Sequence, residues 1–424
     1  MRAARASLLH PVPQFPMRPT LASFAPALAA AALIASAAAR DYRVILDAAP
    51  VDRAGQVIAF QLPLDAPRPA VLRDASGRSC ALQTEVDGTA RFIVARQQAH
   101  ASLTFTLAAA GAADGPREGV VVAPERGDLK LSIAGQAALW FRLDRDTVPR
   151  TDIKSEIIRA GYVHPVFSPA GQLVTDDYPS NHPHHHGIWT PWTKTSFQGR
   201  SPDFWNMHKK TGAEELVALD RTWSGAVHGG FEARLKMVDL SAPAPAVALH
   251  ETWQLTAYDV VGATPAVRMF DLVATQTCAT PDPLVLPEYH YGGFGFRGAG
   301  AWNGPGDAAR FLTSEGITDR IKGNNTRARW CYLGGAGADG ALAGTATLGH
   351  PENFRAPQPL RLHPNMPYFS FVPQQLGEFR IAPGRPYRAR FRFVVTDGAP
   401  DRARIDAYWN GYAQPARVKI APWP

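Results

Sequence analysis

Short apolar or alternating segments, each followed by a turn, succeed one another along the chain from residue 40 onward. The first four cover residues 42–46, 57–62, 92–95 and 102–107. Apolar residues at every second position predict strands with one buried face. Dipeptides such as Asp87-Gly88 are typical of turns between paired strands. The pattern therefore predicts a small β-sandwich-like domain over residues 40–112.

The same pattern continues through the rest of the chain, in longer segments. Strand candidates cover residues 130–143, 162–173, 232–240, 248–258, 266–277, 284–296, 341–348, 368–372 and 387–395. Helical patterns are almost absent between them, and the best helix candidate covers residues 401–412. Strands that follow one another through turns predict an all-β fold, here a large antiparallel β-sandwich over residues 113–424.

The first 39 residues have a different composition from the rest of the chain. Residues 21–39 are an alanine-rich apolar run that begins after Arg18 and ends in three small residues, Ala37 to Ala39. This arrangement predicts a signal peptide over residues 1–39, and hence an exported protein that is periplasmic or secreted. No later segment approaches the roughly 20 apolar residues of a membrane span.

Charge and cysteine content exclude some classes of function. The formal charge of the 424-residue chain is +7, but the excess is spread over single arginines. Without a basic block or a basic helix, nucleic-acid binding is not expected. The cysteines Cys80, Cys278 and Cys331 allow at most one disulfide and leave its existence open.

Residues 178–208, the histidine-rich loop, concentrate the candidate chemistry of the chain. The loop holds five of the thirteen histidines and three of the ten tryptophans, and four prolines interrupt it. Proline breaks both helix and strand, so the segment is predicted to be a long loop. Long ordered loops of this composition usually carry function, because their buried polar groups need specific partners.

The histidines of this loop suggest acid–base chemistry, metal ligation or a hydrogen-bonded scaffold. Pro183 favours an extended backbone at His182. In an extended chain, His182, His184 and His186 point to one side and His185 to the other. Imidazole is the commonest acid or base near neutral pH, which makes His184 and His185 catalytic candidates. A run of histidines alone does not identify a metal site, so all three interpretations stay open.

The aromatic residues of the loop suggest a binding surface. Trp189, Trp192 and Trp205 have a spacing that suits a flat lining on which sugar rings stack. The alternative is that they only pin the loop to the core. Further binding candidates in the loop are Tyr178, His182, Asp203 and His208.

Residues 287–297 form a second group of chemically active side chains. On a continuous strand, Glu288 and His290 would share one face, which makes both catalytic candidates. Arg297 is a candidate for binding a hydroxyl or a carboxylate. The glycines at 292, 293 and 295 indicate a bulge or a close backbone approach. The alternative is a satisfied salt-bridge network across the sheet.

Two loops near the C-terminal end are weaker candidates for completing a pocket. The first contributes His350 and Asn353 as binding residues, and the second contains His363. The chain lacks a G-x-S-x-G elbow, a P-loop, a Rossmann glycine run after a strand and an H-E-x-x-H motif.

Several of these motifs, taken in order, resemble a known family. The segments 177–189 (DYPSNHPHHHGIW), 203–205 (DFW), 291–297 (YGGFGFR) and 350–353 (HPEN) are similar to the exported bacterial PmoA-like family, which carries a "methane oxygenase" label. The resemblance implies a supersandwich similar to galactose mutarotases, in which a histidine and a glutamate exchange protons on a sugar. By that analogy His184 or His185 would act with Glu288.

The leading hypothesis is an exported carbohydrate-active enzyme that acts on a sugar or oligosaccharide by hydrolysis, elimination or epimerisation and requires no cofactor. The alternatives are a non-catalytic sugar-binding protein and a metal-dependent oxidase or hydrolase with a His-bound divalent metal. In each case, the histidine-rich loop should lie within ~10 Å of Glu288, His290 or Arg297, because both segments carry groups that need partners.

Overall fold

The structure, a computed structural model, describes residues 39–112, 114–115, 117–304 and 308–423. The predicted signal peptide falls outside these residues, apart from Ala39. Residues 39–424 form one compact unit. The predicted domain boundary between residues 112 and 113 therefore stays a prediction.

The N-terminal strands form two small antiparallel sheets with a core of their own. The strands are β1 (Tyr42–Leu46), β2 (Arg53–Gln61), β3 (Ala70–Arg73), β4 (Ser79–Cys80), β5 (Gln83–Thr84), β6 (Thr89–Gln97) and β7 (Leu103–Ala109). One sheet has the order β2-β6-β5. The other contains β1, β7, β3 and β4, and it is completed by the last strand of the chain, β26 (Val418–Pro422), which pairs with β1. Val44, Phe92 and Leu107 are buried between the sheets.

The remaining strands build the larger part of the molecule. They are β8 (Val120–Glu125), β9 (Asp128–Ile133), β10 (Gln136–Phe141), β11 (Val163–Val166), β12 (Ile188–Trp189), β13 (Gly212–Trp223), β14 (His228–Asp239), β15 (Ala246–Tyr258), β16 (Arg268–Cys278), β17 (Leu284–Leu286), β18 (Gly295–Arg297), β19 (Arg310–Thr313), β20 (Trp330–Ala336), β21 (Leu342–Gly349), β22 (Leu360–Leu362), β23 (Tyr368–Phe371), β24 (Phe379–Ile381) and β25 (Tyr387–Asp397).

Two antiparallel sheets of eight strands face each other across one large core. The first has the order β22-β23-β18-β12-β11-β10-β9-β8 and the second β13-β14-β15-β16-β25-β21-β20-β19. Ile188 and Phe296 of the first sheet belong to the same buried cluster as Phe231, Leu272 and Phe393 of the second. Two sheets that bury one face each against the other form a β-sandwich, so the predicted all-β sandwich is confirmed.

Helices contribute little to the described part of the chain. Helix α1 is a single turn, Arg320–Gly323. Helix α2, Arg402–Ala413, begins where predicted, because the Asp401 side chain caps it by accepting from the Arg404 amide. No helix in the described residues has the length and apolarity to cross a membrane. All three cysteines are free thiols.

The predicted strand over residues 284–296 is wrong, because only its two ends are strands. Between β17 and β18 the chain leaves the sheet after Pro287, which cannot donate a ladder hydrogen bond. Gly293 has φ +84°, and a Cβ there would lie 2.3 Å from the ring of Trp192. Glu288 and His290 therefore lie on an irregular segment and do not share one strand face.

Candidate functional site

The histidine-rich loop covers the outer face of the first eight-stranded sheet, where β23, β18 and β12 are neighbours. Ile188 and Phe296 point into the core between the sheets. Because side chains alternate along a strand, Trp189 and Tyr368 point the other way, and they belong to a separate buried cluster. Trp205 of the loop is part of that cluster, so the loop is docked on an apolar floor.

Gly295 of β18 makes this docking sterically feasible. A Cβ built at Gly295 would lie 2.7 Å from the ring of Trp205 and 2.8 Å from that of Trp189. Carbon atoms do not approach this closely without displacing one another. A glycine on the outer face of β18 therefore lets both indole rings lie across the strand.

The loop backbone is folded into turns, which changes which histidines lie together. The amide of His182 donates to Pro179 O at 3.0 Å, and the amide of His185 donates to His182 O at 2.9 Å. The expectation of an extended backbone is therefore wrong. The turns bring His182, His184 and His185 to one side of the loop.

His186 is a structural residue on the opposite side. It is fully buried, its Nδ1 lies 2.8 Å from Asp177 Oδ1, and its ring stacks on Tyr162 with centroids 4.2 Å apart. Tyr178 packs edge-on against the same imidazole, and its hydroxyl accepts from the Arg159 amide. The structure therefore places Tyr178, a predicted binding residue, behind the loop.

The loop histidines open onto a cavity of about 220 Å³, which we call the histidine cavity. It is lined by His182, His184, His185, Asn206, His290, Tyr291, Arg361, His363, Met366 and Tyr368. These residues come from the histidine-rich loop, from the segment between β17 and β18, and from β22, β23 and their connection. The two separate histidine-containing segments thus meet in space, as the sequence predicted.

Five imidazole rings form a continuous cluster at this cavity. The ring of His182 has its centroid 5.1 Å from that of His185 and 5.9 Å from that of His363. The ring of His184 has its centroid 4.8 Å from that of His185 and 5.0 Å from that of His208, which is exposed and lies outside the lining. A proton released at one ring therefore has a second imidazole close by.

Burial lowers the pKa of the imidazoles that line the cavity. The pKa of His184 falls to about 3, because of burial and then of repulsion from His208 and His182. The pKa of His363 falls to about 4, through burial and then the charge of Arg361. Burial also takes the pKa of His185 well below its usual range. These rings are therefore neutral at pH 7, each with one donor and one acceptor nitrogen.

Several buried polar atoms at the cavity have no hydrogen-bond partner in the described residues. They include His182 Nδ1, His185 Nδ1 and Tyr368 OH. The Ser370 hydroxyl, close to Tyr368 on β23, donates to Phe294 O instead. An unpaired buried polar group destabilises a fold by about 1–3 kcal/mol, so a concentration of such groups indicates a ligand site.

The tryptophans form the floor of the site and present no open stacking surface. Trp189 and Trp205 are 0% and 2% exposed, with centroids 4.7 Å apart, and both pack against the ring of His185. Trp192 lies in the core, where its Nε1 donates to Gln276. The predicted tryptophan platform is therefore corrected: besides the imidazoles, the aromatic rings that line the cavity are Tyr291 and Tyr368, and Tyr289 lines a neighbouring hollow.

Asp203 acts inside the loop and does not line the cavity. Its Oδ1 accepts from the amides of Trp205 and Asn206, and its Oδ2 accepts from Asn206 Nδ2 and Lys209 Nζ. Asn206 Nδ2 in turn lies 3.0 Å from the hydroxyl of Tyr291. The carboxylate thus positions an amide and a phenol that both line the cavity.

Glu288 is separated from the loop histidines. It is exposed and lines a neighbouring hollow of about 440 Å³, the outer groove, with Tyr289, His290, Asn325, Pro359, Gln375 and Leu376. His290 lines both spaces. The structure therefore does not pair Glu288 with His184 or His185, and no carboxylate of the described residues lines the histidine cavity itself.

Arg297 lies behind the cavity, fully buried. Its Nη2 donates to Asn181 Oδ1 at 3.2 Å and to Asn303 Oδ1 at 2.8 Å, while Asp176 Oδ2 stays 4.0 Å from Nε. Burial lowers its pKa to about 10, so it remains charged at neutral pH. The guanidinium that lines the cavity is Arg361 of β22, which sequence analysis missed.

His350 and Asn353 are remote from this site. Both line a separate, mostly apolar cavity of about 170 Å³. The Asn353 side chain donates to the carbonyl oxygen of Arg390 and accepts from its amide, and His350 Nδ1 accepts from the amide of Glu352. These contacts hold a loop against β25, so the prediction that these residues complete the pocket does not agree with the structure.

The histidine cluster does not fit a metal site. Within the described ranges, no group of three or more His, Cys, Asp or Glu side chains is arranged to hold a metal ion. Larger hollows of about 690 and 820 Å³ exist elsewhere, but they are lined by none of the unpartnered imidazoles. The histidine cavity is therefore the best candidate site on chemical grounds.

Comparison with known proteins identifies the family but gives it no activity. Residues 128–410, more than half of the chain, match a family described as "Family of unknown function (DUF6807)". The chain belongs to this family. All residues that line the histidine cavity fall inside the matched range. The resemblance to the PmoA-like family stays a prediction.

Two further comparisons add little about function. No curated protein matches the sequence. A solved structure, an alpha-mannosidase from Enterococcus faecalis V583, is similar over 92% of this chain and 46% of its own, with a TM-score of 0.39 and 9% identity. The chain thus spans less than half the length of that protein, and a likeness this distant does not bear on function.

Proposed function

We propose that this protein is an exported enzyme that acts on a sugar by proton transfer in the histidine cavity. The observation that carries the proposal is the group of neutral imidazoles, two with a buried, unpartnered Nδ1, around a polar cavity of about 220 Å³. Such a lining offers both donors and acceptors to the hydroxyl groups of one sugar ring.

His184 and His185 are the catalytic candidates. A neutral imidazole takes a proton from the ligand. In an elimination the imidazolium that forms gives the proton to the departing oxygen, whereas in an epimerisation a proton returns through the second imidazole to the opposite face of the same carbon. The two rings lie 4.8 Å apart and nearly perpendicular, so they approach a bound ring from different directions. Proton transfer of this kind serves epimerisation or elimination without a cofactor. Hydrolysis would also need a positioned water.

The outer groove suggests a ligand longer than one sugar. It shares His290 with the histidine cavity and adds the half-buried ring of Tyr289, with Lys194 Nζ 5.6 Å from the ring centroid. Glu288 and Asn325 supply polar groups there. A sugar seated in the cavity would therefore place its neighbouring residue against Tyr289, which fits an oligosaccharide.

A glycan screen tests this proposal. Purified protein is incubated with neutral and acidic mono- and oligosaccharides while reducing ends, unsaturated products and the melting temperature are followed. We expect turnover with at least one glycan. The absence of both turnover and any melting-temperature shift across the panel would refute the proposal.

Variants then separate catalysis from binding. His184→Gln should lower kcat about 100-fold or more, since general acid–base catalysis contributes factors of about 10²–10⁴. His250→Gln, on an exposed position of β15, is the matched control and should leave kcat unchanged. Wild-type protein that binds a glycan without ever converting it would instead identify a non-catalytic sugar-binding protein.

A further inference from the structure

The charges around the histidine cavity are unbalanced. Arg361 is the one permanently charged side chain among its described lining residues, and no Asp or Glu is among them. Two carboxyl groups of this region have other partners: Asp203 in the loop pairs with Lys209, and Asp177, just before the loop, is hydrogen-bonded to His186. With neutral imidazoles as the other titratable groups, the lining of the cavity carries a net positive charge.

The unpartnered polar atoms at and behind this site can all donate a hydrogen bond, in at least one tautomer or rotamer. Behind the lining rings, Trp189 Nε1, Trp205 Nε1 and Arg297 Nη1 are buried without a partner in the described residues, and these atoms can only donate. On the lining itself, His182 Nδ1, His185 Nδ1 and Tyr368 OH are unpartnered and can donate or accept. None of these lining atoms is an obligate acceptor. The lining can therefore satisfy a ligand that accepts hydrogen bonds.

Arg361 has free capacity for such a ligand. It is half-buried on β22, and its Nη1 makes one hydrogen bond, to Asn324 Oδ1 at 3.3 Å. The remaining N–H groups of its planar guanidinium suit the two oxygens of a carboxylate. The outer groove has the opposite character, because Glu288 and the unpartnered Gln375 Oε1 accept hydrogen bonds from hydroxyl groups.

We infer that the histidine cavity recognises the carboxylate of a sugar acid, with Arg361 as the residue that determines specificity. The acid group lies in the cavity, and the hydroxyl groups of a neighbouring sugar lie in the outer groove. The bound carboxylate also favours protonation of the imidazoles beside it, because opposite charges stabilise one another at close range. This inference rests on the proposed sugar-directed function and narrows its substrate to uronates.

Calorimetric titration of the full protein tests the inference with four ligands: galacturonate, glucuronate, galactose and acetate. We expect one or both of the uronates to bind at least tenfold more tightly than galactose and acetate. The affinity for the uronate should fall with added salt, whereas that for galactose should not. Arg361→Gln should weaken uronate binding at least tenfold and leave galactose binding within twofold.

Two further variants control for folding and for general charge. Arg361→Lys keeps the charge without the planar fork and should weaken uronate binding less than Arg361→Gln does. Arg388→Gln removes an exposed arginine of β25 and should change nothing. Melting temperatures confirm that each variant is folded.

The possible results distinguish this inference from the proposed function. Equal binding of galactose and uronates, or equal weakening of both by Arg361→Gln, overturns the preference for sugar acids and leaves the sugar-directed function in place. Acetate that binds as tightly as the uronates also overturns the inference, since the site would then bind any carboxylate. If no sugar or sugar acid binds, both the inference and the proposed function fail.

Discussion

A buried pair of carboxyl groups inside the sandwich gives the sharpest test of the electrostatics. Glu214 of β13 and Glu251 of β15 are 0% and 1% exposed. Glu214 forms an ion pair with the buried Arg159. Glu251 Oε1 accepts from Thr190 Oγ1 at 2.7 Å and from Gln276 Nε2 at 3.0 Å. One carboxylate is therefore balanced by a cation, and the other is held by neutral donors.

The surroundings of Glu251 favour its protonated form. Burial raises the pKa of Glu251 well above its usual range, and the neighbouring Glu214 raises it further by its charge and as a hydrogen-bond partner. Glu251 Oε2 and Glu214 Oε1 have no other hydrogen-bond partner in the described residues. Glu251 therefore keeps its proton well above the pH at which an exposed glutamate ionises.

We predict that Glu251→Gln stabilises the protein increasingly as pH rises. In the unfolded chain this carboxyl ionises near pH ~4.3, whereas the folded state keeps its proton. The stability that protonated Glu251 contributes is thus complete below that pH and is lost as pH rises toward the folded-state pKa. The loss is about 1.4 kcal/mol per pH unit. The variant carries a neutral amide at this position and has no such loss.

Urea unfolding at pH 5, 6 and 7 gives the unfolding free energy of the variant and of the wild type. Subtracting one from the other at each pH removes the pH dependence that the other titratable groups contribute to both. The difference in unfolding free energy should rise from pH 5 to pH 7, by up to about 3 kcal/mol, the full linkage slope over two pH units. Glu214→Gln is the control: it leaves the buried Arg159 without its charged partner and should destabilise by about 3–5 kcal/mol. If the difference in unfolding free energy between Glu251→Gln and wild type does not change with pH, Glu251 is ionised in the folded protein and the reasoning is refuted.

Three further predictions concern the candidate site. Tyr368→Phe should leave the melting temperature unchanged or raise it, because the lost hydroxyl has no partner in the described residues. The same variant should bind a glycan about tenfold more weakly. A lower melting temperature with unchanged glycan binding would contradict this prediction. Gly295→Ala should lower the unfolding free energy measured in urea by about 1–3 kcal/mol, because the new Cβ would lie less than 3.0 Å from two indole rings. The control is Gly115→Ala, where nothing lies within 4 Å. Since the pKa of His184 is about 3 and that of His363 about 4, NMR titration of their ring protons should show neutral imidazoles down to pH 5, and midpoints near 6.5 would contradict the burial argument.

The regular part of the fold could be predicted from the sequence because its side-chain pattern repeats. Alternation over residues 42–46 gave the bounds of β1, and the segments at residues 248–258 and 387–395 fall within β15 and β25. Asp401 marked the start of the long helix, since its side chain caps the first turn. Strand β13 was missed, because Glu214 and Glu215 interrupt its apolar run. Only the buried partner Arg159 makes Glu214 tolerable there.

The sequence by itself determined that histidines and tryptophans gather in one loop and that a second histidine-containing segment should meet it. It could not determine which side chains face the cavity, because the direction of a side chain in an irregular segment follows from backbone torsions that distant contacts set. The turn closed by the hydrogen bond from the His185 amide to His182 O places His185 on the cavity side. The strand ends before Pro287, and Glu288 therefore lies away from the cavity. Only the pairing of β22 and β23 beside β18 brought Arg361, more than 170 residues along the chain from His184, to the same cavity.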